Sequence, residues 1–185
     1  YDEYHLHPVH RHLLRTVQTL KKFGTEADPT EKPLCGQLYG DLSRQERTML
    51  LWAGLLHDIG KGNSSGNHSE AGEAMVREIL AEKGYGQEMI DTVAFLVRHH
   101  LFLVKIATRR DIQDEETALF CARSIEDAGR LRLLYLLTVA DSVATGPKAW
   151  NSWTAALLEE LFLNVSSVFR DGELTSAGAL RLMEE

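Results

Sequence analysis

Polar side chains with cation-binding chemistry stand where this chain should be burying hydrocarbon. His57 and Asp58 close the apolar run LLWAGLL, Asp141 follows LRLLYLLTVA, and His99-His100 interrupts VAFLVRHHLFLV. His12 lies in a further apolar stretch, and His68 heads the segment after the polar loop GKGNSSGN. Each has a bland explanation alone. A lone histidine in such a place is more often a hydrogen-bonded core residue than a ligand, and Asp141 could bond the amides at the start of a neighbouring helix. An ionised carboxylate buried there costs several kcal/mol unless a positive group meets it. The ensemble favours a shared positive centre. Mixed imidazole and carboxylate donors suit Mn²⁺ or Mg²⁺, with Fe²⁺ and Zn²⁺ also compatible, because the carboxylates offset the cation charge. A carboxylate can bridge two ions and an imidazole cannot, so Asp58 is the natural shared ligand. No local spacing of the HExxH kind adds to this.

These groups must be brought together by helices, because the apolar spacing is helical nearly throughout. Adjacent helical residues point about 100° apart, so His57 and Asp58 can serve one ion only near a helix end, where Gly60 and Gly62 follow them. Val9, Leu13, Leu14, Val17, Leu20 and Phe23 form one apolar stripe, with Pro8 suited to a first turn. The stretch 24–42, rich in Gly and Pro, reads as a long loop. Ser43 and Glu46 have capping-box spacing and predict a helix to about His57. Further helices are expected from Ser69 to the Gly84–Gly86 region, over 88–106, over 117–125, over 129–145, and over 149–169 with Trp150, Trp153, Leu157, Leu161 and Phe162 in the core. The expected fold is all-α, a helical bundle with the metal site between helices.

Bulk composition narrows the rest. The chain has 185 residues, 44% hydrophobic and 25% charged, enough for one domain with its own core. A net charge of −7 argues against a nucleic-acid partner, which needs clustered Lys and Arg. Cys35 and Cys121 make no CxxC pair and no disulfide framework, so a cytoplasmic location is the expectation. No signal peptide and no long apolar run suggests secretion or a membrane. The chain starts without Met and stops without a tail, the pattern of a fragment of a larger multidomain chain. The domain is expected over 1–170, with 171–185 a C-terminal extension leading to a downstream domain.

In order, His12, His57-Asp58 and Asp141, with HDIGKG, NHSEAG and VRHHL between them, resemble the HD-domain metal-dependent phosphohydrolase superfamily, an all-helical fold. VRHHLFLVKIATRRDIQDEE, LLTVADSVATGPKAWNSW and LLEELF resemble more narrowly the uridylyl-removing HD domain of bacterial bifunctional PII uridylyltransferase/uridylyl-removing enzymes. The likeness covers nearly all of 4–163. No Gly-Ser with a following Asp-x-Asp is present, so it extends only to the hydrolysing half. The chain departs from the family at His7-Pro8-Val9-His10-Arg11-His12, where His10 replaces an acid. His12 aligns with the first metal ligand, and His5, His7 and His10 compete for that place.

The resemblance implies one divalent ion on His12, His57, Asp58 and Asp141, and a second on Asp58, His68 and His99, with His100 a further ligand or a supporting residue. Two ions would acidify a water for attack on phosphorus. The implied substrate is a PII-type signalling protein bearing UMP on tyrosine. A phenol has a pKa of about 10, so tyrosinate leaves readily and no strong general acid is required. Asp58 is the catalytic centre of this reading. Lys61 could stabilise a non-bridging phosphate oxygen, or be a solvated loop lysine. Arg109 and Arg110 could clamp the nucleotide phosphate, or pair with Asp111 and Asp114 on the surface. Two alternatives stand beside this reading: an HD hydrolase of a free or cyclic nucleotide, and a non-catalytic module that binds metal or nucleotide for attached domains.

Overall fold

The computed structural model describes residues 9–62 and 68–183, with side chains through 172. Nine α-helices occur among them: α1 (Val9–Lys22), α2 (Pro33–Asp41), α3 (Arg44–Leu56), α4 (His68–Glu82), α5 (Gln87–His99), α6 (Phe102–Arg109), α7 (Glu115–Ile125), α8 (Ala128–Thr145) and α9 (Ser152–Met183). A short 3₁₀ turn, Ile59–Gly62, lies between α3 and α4. No strand occurs among the described residues, and none of the helices searched is long and apolar enough to cross a membrane. The expected all-α bundle is the fold found.

The sequence of α8 explains its central place. Leu131, Leu133, Leu134, Tyr135, Leu136, Leu137, Val139 and Ala140 are all buried, so apolar groups occupy every side of this helix. Such a helix must be enclosed by others, and α1, α2, α3, α5, α6, α7 and α9 all pack on it. The cap expected before α3 is present in full. Glu46 N donates to Ser43 Oγ at 3.1 Å, and Ser43 N donates to Glu46 Oε2 at 2.8 Å. Glu46 Oε1 also accepts from Arg132 at 3.2 Å, which ties the start of α3 to α8.

Four expectations need correction. Residues 24–42 are not one loop, because α2 occupies 33–41. Pro33 stands in its first turn, where a missing N–H costs nothing. Cys35 is fully buried, with Leu34, Leu38 and Tyr39 packed on the core. Gly36 breaks nothing here: a Cβ on it would stand 2.7 Å from Gly24 Cα, so the glycine permits α2 to lie against the end of α1. The expected helix over 88–106 is divided, α5 ending at His99 and α6 starting at Phe102. Apolar spacing runs on through the bend, which hides it in the sequence. On α1 the buried face is His12, Thr16, Thr19 and Leu20, whereas Val9 and Leu14 are exposed. Thr16 Oγ1 donates to His12 O, so this polar face satisfies its own hydroxyl. On α9, Leu161 and Phe162 are buried and Trp150, just ahead of the helix, packs against the core, but Trp153 is 62% exposed.

The helix α9 continues through residue 170 to Met183 without interruption. Cys35 and Cys121 are free and buried, and burial pushes both thiols up to about 11.

Candidate metal centre and its pocket

Three segments meet at the polar cluster. His12 comes from the inner face of α1, Asp141 from α8, and His57 and Asp58 from the exit of α3. His12, His57 and Asp58 are 2%, 1% and 5% exposed. The backbone stays right-handed at His57 (φ −56°, ψ −31°), and Lys61 N then donates to Asp58 O at 3.0 Å to close the 3₁₀ turn. The tight turn brings the neighbouring imidazole and carboxylate to one side. Gly60 makes it possible. A Cβ there would stand 2.0 Å from His68 O and 2.7 Å from Gly72 N, so only glycine lets the turn press onto α4.

The donor atoms converge. His12 Nε2 lies 2.8 Å from Asp141 Oδ1 and 3.7 Å from Asp58 Oδ2. His57 Nε2 lies 3.1 Å from His12 Nε2, 3.4 Å from Asp141 Oδ1 and 3.6 Å from Asp58 Oδ2. The opposite nitrogen of His57, Nδ1, lies 3.0 Å from Gly54 O. A carbonyl only accepts, so Nδ1 carries a hydrogen and a neutral His57 turns the lone pair of Nε2 toward the cluster.

Electrostatics reinforce this. Burial works against a charged His57, but the Asp141 and Asp58 carboxylates outweigh it and raise its pKa. Burial also opposes ionisation of Asp58. The His100 hydrogen bond, the His57 charge and the Lys61 ammonium overcome it and hold that carboxyl well below its usual range. Asp141 is likewise held far down, against its burial, by His57 and His12.

These residues fit a divalent cation. Ligand atoms of His12, His57 and Asp58 all lie within 4.8 Å of one another. Two Nε2 atoms at 3.1 Å cannot both point hydrogens at each other. A cation accepting both lone pairs resolves that conflict, and two carboxylates offset its charge.

A pocket of about 230 Å³ opens over the cluster, lined by His57, Asp58, Lys61, His68, Ser69, His100, Leu101 and Lys105. Lys61 Nζ is 2.8 Å from Asp58 Oδ2. His68 is exposed at the start of α4, and its Nδ1 lies 3.3 Å from Gly60 O. Of the adjacent histidines, it is His100 that turns inward. It is buried, its Nδ1 donates to Val97 O at 2.7 Å, and its Nε2 lies 3.5 Å from Asp58 Oδ1. His99 lies instead between Phe95 and Phe102, with ring centroids 4.5 and 6.1 Å away. Burial and then Arg98 lower its pKa. Helical geometry is the cause: the backbone is still right-handed at His100 (φ −56°, ψ −27°), so the two adjacent side chains leave the helix about 100° apart.

Arg109 and Arg110 are exposed at the end of α6 and do not line this pocket; the Arg110 guanidinium lies 4.4 Å from the Phe120 ring centroid. Near the amino end, His10 is exposed, while His5 and His7 lie outside the described residues. Three lining residues, Ser69, Leu101 and Lys105, lie within the quoted motifs but are not singled out there as site residues. The helical spacing of Leu101, Lys105 and Arg109 is the clue that existed, since it puts a cation one turn nearer the histidines than the arginine pair.

The HD domain family model matches residues 9–146, a span containing His12, His57, Asp58 and Asp141. Curated relatives include the bifunctional uridylyltransferase/uridylyl-removing enzymes of Gluconobacter oxydans, 43% identical, Methylococcus capsulatus, 41% identical, and Vibrio vulnificus, 38% identical. Each match runs over 172 residues, covering 93% of this chain and 18 or 19% of the relative. The chain therefore spans about a fifth of the length of these relatives. With the inward-facing histidine and aspartate cluster inside the matched span, the chain belongs to the HD domain family.

Proposed function

We propose that this chain is a metal-dependent phosphohydrolase that removes UMP from a modified tyrosine of a PII-type signalling protein. The observation that carries the reading is the convergence of His12, His57, Asp58 and Asp141 beside a pocket lined by His57, Asp58 and Lys61. The uridylyl-removing activity in the names of the relatives supports this choice of ester over a free nucleotide.

His12, His57, Asp58 and Asp141 would hold a divalent ion, Mn²⁺ or Mg²⁺ in the first instance. When bound, such an ion supplies Lewis acidity and makes a water acidic enough to serve as nucleophile near neutral pH. The chain does the rest by position and charge. Gly54 O holds the His57 ring in one orientation through Nδ1. Lys61 keeps its ammonium at the pocket wall, where it offsets charge developing on the phosphoryl oxygens. His100, rather than His99, supports the far oxygen of Asp58 and keeps the carboxylate turned to the cluster. A departing tyrosinate has a conjugate acid pKa of about 10, so no side chain need act as a strong proton donor.

The test is UMP release from a uridylylated PII-type protein by the purified chain in Mn²⁺, beside Asp58→Ala, with free and cyclic nucleotides as competing substrates. Release from the protein by the parent and none by the variant is the expected result. Turnover of free nucleotides alone would move the substrate to a small molecule. No turnover of any ester would overturn the enzymatic reading.

A further inference from the structure

The pocket has a wall that the metal cluster does not use. Leu101 and Lys105 are joined by the helical hydrogen bond from Lys105 N to Leu101 O at 3.1 Å, so they lie one turn apart on one face of α6. Both line the pocket over Asp58 and His100. Leu101 is 37% exposed, so its side chain offers apolar surface to the pocket. Five cations among the described residues pair with acids outside this pocket: Lys32 with Glu159, Arg77 with Asp91, Arg98 with Glu70, Arg130 with Glu126 and Arg132 with Glu46. In a chain of net charge −7, the pocket gathers two lysines from separate elements, Lys61 on the 3₁₀ turn and Lys105 on α6. An apolar ledge one turn from an ammonium, beside a second ammonium, matches a ligand with an anionic phosphate next to a less polar sugar and base.

We infer that the Leu101–Lys105 face of α6 is the nucleotide-holding wall of this pocket. Lys105 grips the phosphate of a nucleoside monophosphate group together with Lys61, and Leu101 carries its nucleoside part. Lys105 thereby takes the role that the sequence suggests for Arg109 and Arg110. The inference rests on the phosphohydrolase reading for the substrate class, but binding tests it without turnover.

The experiment is calorimetric binding of UMP and of uridine to the parent chain, Lys105→Gln, Lys105→Arg and Leu101→Ala in Mn²⁺. Thermal midpoint and metal content serve as controls on folding and on the metal site. UMP binding is expected to weaken about tenfold in Lys105→Gln, one ammonium–phosphate contact being of that order, and to be largely restored in Lys105→Arg. Uridine binding should fall in Leu101→Ala and not in Lys105→Gln. Parent-like UMP affinity in Lys105→Gln, equal losses for UMP and uridine in that variant, or no UMP binding by the parent would each overturn the inference. If the parent hydrolyses no ester yet binds UMP in a Lys105-dependent way, the proposed function fails and this wall stands. If it hydrolyses the ester while Lys105→Gln shifts neither KM nor UMP affinity, the wall fails alone.

Discussion

Lys61 Nζ lies 2.8 Å from Asp58 Oδ2, the oxygen that also stands 3.6 Å from His57 Nε2 and 3.7 Å from His12 Nε2. One carboxylate oxygen thus faces both an ammonium and the imidazole pair. Lys61 competes with a metal ion for that oxygen, and its charge is also within reach of whatever ester enters the pocket. Lys61→Met is therefore expected to bind divalent metal at least as tightly as the parent while turnover falls about 100-fold, the loss typical of one preorganised charge contact. Metal titration and kcat on the same preparations check both halves. Weaker metal binding in the variant would show that Lys61 organises the centre instead.

A second prediction concerns metal removal and pH. His57 has a raised pKa in the metal-free chain, from an ordinary 6.5. Its stabilisation is complete below that ordinary value and is lost as pH rises through the raised one. Asp58 and Asp141 are lowered from 3.8, so their contribution is present above that value and is lost only as pH falls well below it. The chelated chain should hold its thermal midpoint in mildly acidic buffer and lose it progressively above neutrality. Added Mg²⁺ should restore the alkaline side by supplying the positive charge that His57 no longer carries. Melting curves from pH 5 to 9, with and without Mg²⁺, check this. An alkaline midpoint that is independent of chelation would contradict it.

The adjacent histidines should separate cleanly on substitution. His100 Nε2 faces Asp58, whereas His99 packs on Phe95 and Phe102. His100→Ala is expected to lower turnover by about 10- to 100-fold, the usual cost of losing a group that orients a metal ligand. His99→Ala should change turnover less than twofold and act on stability instead. Equal kinetic losses in the two variants would mean that the contact of His100 with Asp58 does not set the roles.

Gly60 couples the turn to α4. Gly60→Ala places a Cβ against His68 O and Gly72 N, both backbone atoms that cannot swing away. The turn must then lift, moving Asp58 and Lys61 together. A loss of about 1–3 kcal/mol in stability is expected, as for other overpacked sites, along with reduced metal content. Denaturant melts and metal analysis report the two effects. A stable variant with full metal content would show that the turn can be accommodated elsewhere.

Helix type and the convergence of His12, His57, Asp58 and Asp141 were legible in the sequence because both depend on local or additive signals. Ser43 and Glu46 announce α3 through a four-residue hydrogen-bond pattern, and that cap is formed. The apolar run of α8 demands burial on all sides whatever surrounds it, so a carboxylate at Asp141 had to find a positive partner; His12 and His57 meet it. Residues His57 and Asp58 needed only a helix end followed by glycine to share one side.

Facing is what tertiary structure alone decided. Periodicity states which residues share a helix face, but not where a helix bends or what the face meets. The packing of α5 therefore brought His100 rather than His99 to Asp58, and that of α6 placed Lys105 rather than Arg109 and Arg110 in the pocket lining. Pro33 and Gly36 look like loop residues in isolation, yet one begins α2 and the other permits its close approach to Gly24. Residue chemistry sets what a group can do. Its neighbours, assembled from segments up to 129 positions apart in the case of His12 and Asp141, set which group does it.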